Sequence, residues 1–204
     1  MKNTIIMLII AVLLLSTGCI EKNLETELTE VDRELSEIEA KTDKIVSDIE
    51  KEAEQFKFKI TSSAFDYNTN IPSKYTCDGE DINPPLTIDN IPENTQSLVL
   101  IVDDPDAPIG IWHHWVVFDI TSVNSIIETI PENSVPGKQG KNSRNTNDYH
   151  GPCPPSGTHR YFFKIYALDI KLNLQEGSAK QEVEQAMQGH ILEQAELIGL
   201  YNKG

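Results

Sequence analysis

Tyr149-His-Gly-Pro-Cys-Pro-Pro-Ser-Gly-Thr-His-Arg-Tyr161 leads directly into an apolar run over residues 161–170. Its prolines fix φ and its glycines admit tight turns, so the first part is a rigid loop with little chain entropy left to lose. The apolar run reads as a buried strand. The junction therefore sets an imidazole, His159, at a strand mouth beside backbone held by prolines. A second segment has the same construction: Asp103-Asp104-Pro-Asp-Ala-Pro108 is followed by Trp112-His-His-Trp-Val-Val-Phe118. Working outward, strands are expected over 56–60, 86–88, 97–102 and 112–120, the 97–102 run being apolar enough for burial on both faces. Residues 61–85 read as loop-rich, and 122–147 as a polar excursion without periodicity. Ser178-Ala-Lys-Gln181 reads as a capping box opening a helix with a buried stripe of Val183, Ala186 and Met187. Gly189 then separates a second helix bearing Ile191, Leu192, Ala195 and Ile198. Strands with turn signals followed by terminal helices give a β-rich α+β domain.

These segments together resemble the phosphatidylethanolamine-binding protein family, in its bacterial and archaeal branch of Raf-kinase-inhibitor-like proteins of the YbhB/YbcL type. The matching pieces are Asp104-Pro-Asp-Ala-Pro108, Trp112-His-His-Trp115 and Gly151-Pro-Cys-Pro-Pro-Ser-Gly-Thr-His-Arg-Tyr161. Ile71-Pro-Ser-Lys-Tyr-Thr-Cys-Asp-Gly79, Asn83-Pro-Pro-Leu86, Tyr166-Ala-Leu-Asp169 and Met187-Gln-Gly-His-Ile191 agree as well. The resemblance covers about residues 56–204. It implies an antiparallel β-sandwich with peripheral C-terminal helices, and a small pocket that gathers Asp104, His114 and His159. It further implies a phosphate-bearing or other small anionic ligand, such as a phospholipid headgroup, and no cofactor.

Strand alternation puts His113 and His114 on opposite faces, and the resemblance makes His114 the one that lines the pocket. Asp104 is expected to accept from an imidazole and fix its tautomer, while Asp106 stabilises the loop. Two imidazoles are expected to donate to an anion, aided by a concave nest of turn amides around Gly151. Tyr161 would offer a hydroxyl and an apolar wall, and Pro154 and Pro155 would shape the rim. Arg160 points away from His159 by alternation and is assigned to a structural ion pair. Two histidines and a carboxylate could also form a metal triad or the base of a hydrolase. Neither Gly-x-Ser-x-Gly nor HExxH is present, so binding is preferred to catalysis. Kinase or protease inhibition, which names in the family suggest, is a further alternative.

A net charge of −15 excludes a basic surface for nucleic acid. Lys2, an apolar core over 5–15 and the small residues Ser16-Thr17-Gly18 before Cys19 read as a signal peptide, residues 1–18. The run is too short to span a bilayer. Small residues before the cysteine resemble a lipobox, with Cys19 lipidated, although Ser16 stands where that motif usually has leucine. The expected location is extracytoplasmic and membrane-anchored, or secreted if Cys19 is incidental. Cys77 and Cys153 then form an even pair in an oxidising compartment, both in family-matching loops. They are expected to bond, a step worth roughly 4 kcal/mol, the alternative being two buried thiols. Residues 19–55 are expected to form a helical stalk. Over 24–52, Leu28, Leu35, Thr42 and Ile49 fall at heptad position a, and Leu24, Val31, Ile38 and Ile45 at d. Such a helix spans about 45 Å and offers a protein-partner surface. In a parallel homodimer Glu27 would face Asp32 and Glu34 would face Glu39, so a lone amphipathic helix or a partly disordered tether remains open.

Overall fold

The strand at the centre of the domain is the most apolar one, and every residue along it is buried. This is β4 (Ser97–Asp104) in a computed structural model that describes residues 2–121 and 127–203, with side chains from residue 26 onward except that of Ile127. The first element, α1 (Lys2–Gln55), is a single helix, and the chain divides into two compact units after Gln55. Within α1 the seam side chains Leu28, Val31, Leu35, Ile38, Ile45 and Ile49 are exposed. Those of Cys19 and Leu24 lie outside the described side chains.

The second unit contains β1 (Lys59–Thr61), β2 (Thr69–Asn70), a 3-10 turn (Ser73–Tyr75), β3 (Leu86–Asp89), β4 and β5 (Trp112–Ile120). It continues with β6 (Ile127–Ile130), β7 (Lys138–Gln139), β8 (Thr158–Leu168), α2 (Lys180–Met187) and β9 (Ile191–Asn202). A sheet of order β1-β3-β6 packs against one of order β2-β9-β8-β4-β5-β7. All pairings are antiparallel except β2 with β9. Between the sheets lie Ile60, Leu86, Ile88, Leu98, Leu100, Val102, Trp115, Val117, Phe163 and Ile165. The opposite face of the large sheet packs Val99, Ile101, Val116 and Phe118 against Val183 and Met187 of α2. A strand buried on both faces follows from this double cover.

Several expectations need correction. The first strand begins at Lys59 rather than residue 56; Phe56 is exposed, whereas Phe58 and Ile60 face the core. The excursion over 122–147, whose residues 122–126 lie outside the described ones, contributes β6 and β7. Helix α2 is capped one residue late, with the Ala179 N–H donating to Glu182 Oε2. The second terminal helix is β9, paired with β8 from Thr158↔Asn202 to Leu168↔Ile191. A Cβ at Gly199 would run into the Ile71 side chain, so the strand needs glycine where β2 passes.

Candidate functional site

The β4–β5 pairing shifts register between Val102↔Trp115 and Asp103↔His113, leaving His114 as an extra residue. A bulge of this kind re-aims a side chain. Trp115 and Val117 face the inter-sheet core, and Val116 the other face. Uninterrupted alternation would send His114 to the α2 side. The bulge instead turns His114 toward Tyr161, whose ring it meets edge-on at 5.2 Å, and sends His113 to Asp103, 2.7 Å away. The two histidines do lie on opposite faces, but a break in the period of two decides which faces.

On the inter-sheet side, Asp104, His114, His159 and Pro155 line a cavity of about 250 Å³. His159 Nδ1 donates to Asp104 Oδ2 at 2.7 Å, and both residues are buried. Asp104 Oδ1 accepts the Asp106 N–H, which closes the loop. Tyr161 and Gly151 are buried nearby without lining the cavity, and Pro154 is buried as well. The Gly151 N–H donates to Asp81 Oδ1 at 2.6 Å and is therefore not free to join a nest. A Cβ on Gly151 would come within 2.5 Å of the Tyr75 carbonyl oxygen, so this glycine permits close backbone approach. The Cys77–Cys153 disulfide ties the same two stretches together, and the Cys77 N–H donates to the Pro152 carbonyl.

Sequence reasoning did not single out His150, Arg144 and Trp112, which also line the cavity. His150 stood beside Gly151 in the decisive stretch, whereas Arg144 lay in a segment without any periodic signal. Arg160 turns to the other face, where its backbone N–H, Nε and Nη2 all donate to Asp106. That pairing holds the Asp106 carboxyl at about 2.

Burial dominates the electrostatics of His114. It drives the imidazole down to about 4, against smaller upward contributions from the His150 carbonyl, Asp104 and Asp103. His150 is likewise lowered, first by burial and then by the Arg144 charge. Burial pushes the Tyr161 phenol up, so it remains protonated. His114 Nε2 is buried without a hydrogen-bond partner, and the buried Tyr161 hydroxyl has only the Cys153 backbone beside it. Among the described residues, no group of three or more histidine, cysteine or acidic side chains is placed to hold a metal ion.

Residues 61–202 match the family model for phosphatidylethanolamine-binding protein. The chain belongs to the phosphatidylethanolamine-binding protein family. A UPF0098 protein of Methanothermobacter thermautotrophicus is 49% identical over 71% of this chain and 99% of its own length. A phosphatidylethanolamine-binding protein homologue of Chlamydia trachomatis has a crystal structure that superposes with a TM-score of 0.68 at 42% identity, over 72% of this chain and 98% of that one. Escherichia coli YbcL, described as a member of the mammalian family, gives 0.65 at 27% identity, over 72% and 99%. The shared fold is a ligand-binding one, and in this chain a cavity lies at the β4–β5 bulge.

Proposed function

We infer that the cavity binds a small phosphate-type anion or phospholipid headgroup without chemical turnover. One observation carries the reading: His114 Nε2 is buried and unpartnered at a cavity where Asp104 orients His159. Buried polar atoms without partners are uncommon in native structures and call for an occupant. Arg144 supplies positive charge and donors at the wall, beside the His159 ring. Among the described residues lining the cavity there is no serine, threonine or tyrosine, and the Cys153 sulfur is committed to its disulfide, which favours binding over hydroxyl- or thiol-based turnover.

Calorimetric titration with phosphate and phosphoethanolamine tests this. A charge-assisted hydrogen bond contributes about 1.5–3 kcal/mol, so His159→Ala should weaken binding roughly 10- to 150-fold. Equal affinity for the wild type and the variant would remove the assignment, and turnover of a phosphate ester would replace it with an enzyme. The apolar core before Cys19 supports an extracytoplasmic lipid anchor in the same reading. The intact mass of the membrane-bound form should show a lipidated Cys19 at the N-terminus; an unmodified cysteine there argues for simple secretion.

A further inference from the structure

Each histidine of the cavity has its Nδ1 tied to a group that only accepts. His114 Nδ1 lies 2.6 Å from the His150 carbonyl oxygen, His159 Nδ1 2.7 Å from Asp104, and His150 Nδ1 3.4 Å from Asp81. An acceptor at Nδ1 draws the ring hydrogen there, so in each neutral ring Nε2 carries a lone pair. The expectation of two imidazoles donating to an anion therefore requires both to be protonated. For His159, the Asp104 carboxylate at Nδ1 is the partner that a doubly protonated ring would need. His114 cannot meet that condition at working pH: burial outweighs the carboxylates of Asp103 and Asp104 on β4, and His150 on the following loop adds to the lowering. The other groups about it are Arg144, which is cationic, His159 and Tyr161. His114 Nε2 thus presents an unmet acceptor.

We propose that the pocket takes a phosphate or phosphomonoester that still carries one P–OH group, whose hydrogen is donated to His114 Nε2. The proposal rests on the phosphate-type reading above and narrows it. Arg144, which lines the cavity, faces the ionised oxygens of the same ligand. A fully ionised phosphate, or a phosphodiester without a P–OH, would set lone pair against lone pair at His114. Leaving a buried acceptor unmet should cost affinity on the order of 10- to 100-fold.

Methyl phosphate and dimethyl phosphate form a matched pair at pH 5.5, because both are mainly monoanions and only the first has a P–OH. Calorimetric titration of the full chain should show methyl phosphate tighter by that factor. His114→Phe should lose the preference by weakening methyl phosphate alone. The wild type also offers a direct reading at pH 7, since the imidazole nitrogen spectrum should show the hydrogen of His114 on Nδ1. Equal affinity for the two esters in the wild type, or a hydrogen on Nε2 of His114, overturns the proton requirement alone. If neither ester binds at any pH, the phosphate reading and the proposal fall together.

Discussion

Asp103 and Asp104 are consecutive on β4, leave the sheet on opposite faces, and each meets a histidine at 2.7 Å. Their surroundings differ. On the α2 side, Asp103 accepts from His113 with one oxygen and from Lys164 with the other, and Lys180 lies 4.0 Å away. Burial pushes this carboxyl up, but the His113 hydrogen bond and the two lysines more than compensate and hold it below its usual range. On the inter-sheet side, Asp104 is also fully used, by His159 and the Asp106 N–H. There, however, His114 Nε2 at the cavity is left unmet. An Asp–His pair is not by itself a site. The unspent hydrogen-bonding capacity around it marks the place for a ligand.

The largest expected effect breaks the satisfied side. Asp103→Ala leaves His113, Lys164 and Lys180 around a buried vacancy, although Lys180 keeps Glu184 at 2.6 Å. Removing one partner of a buried charge network costs about 3 kcal/mol or more. Urea unfolding should show that loss while phosphate affinity stays unchanged. If Asp103→Ala impaired binding as much as Asp104→Ala, the two faces would not be functionally distinct.

The next effect sharpens the cavity side. His114 is held at about 4 in the folded protein, against about 6.5 when unfolded. The unfolded chain therefore binds the extra proton first as pH falls. Stability from the neutral ring is fully present above about pH 6.5, declines as pH drops toward 4, and changes no further below it. The span corresponds to about 3 kcal/mol. Urea midpoints from pH 7 to 4 should show this slope in the wild type and a flatter profile in His114→Phe. Parallel profiles would mean that the ring titrates alike in both states.

The strong strands were legible because burial on both faces leaves an apolar run that no surface helix would carry: β5 matches residues 112–120 throughout. The family motifs likewise marked Asp104, His114 and His159, which the fold brings to one cavity. The last strand was not legible. Ile191, Leu192, Ala195 and Ile198 recur at helical spacing among glutamates and glutamines, but the long edge of β8 takes the segment as its partner, and tertiary pairing overrides local propensity. The bulge at His114 was equally silent, since it exists only in the register between two strands. Arg144 reaches the cavity from a loop whose sequence has no period to read.

The smallest effect concerns Arg160, which follows His159 and is the nearest cation in sequence to the pocket. Its place on β8 turns it to the opposite face, where it is exposed and grips Asp106 through Nε at 2.9 Å and Nη2 at 2.7 Å. An exposed pair of this kind contributes little, even with two-pronged geometry. Arg160→Ala should therefore lower the melting temperature slightly at pH 7 and leave phosphate affinity alone. The sign of the pH dependence follows from Asp106, held at about 2 by its hydrogen bonds to Arg160. A depressed carboxyl stabilises the fold above its unfolded value of about 3.9 and loses that contribution as pH falls through the folded value. The difference between wild type and Arg160→Ala should thus shrink from pH 5 to pH 2. Melting curves across that range, with phosphate titrations at pH 7, measure both parts. A loss of affinity comparable to that of His159→Ala would place the guanidinium on the ligand after all, and the division of the two faces at β4 would fail at its outer end.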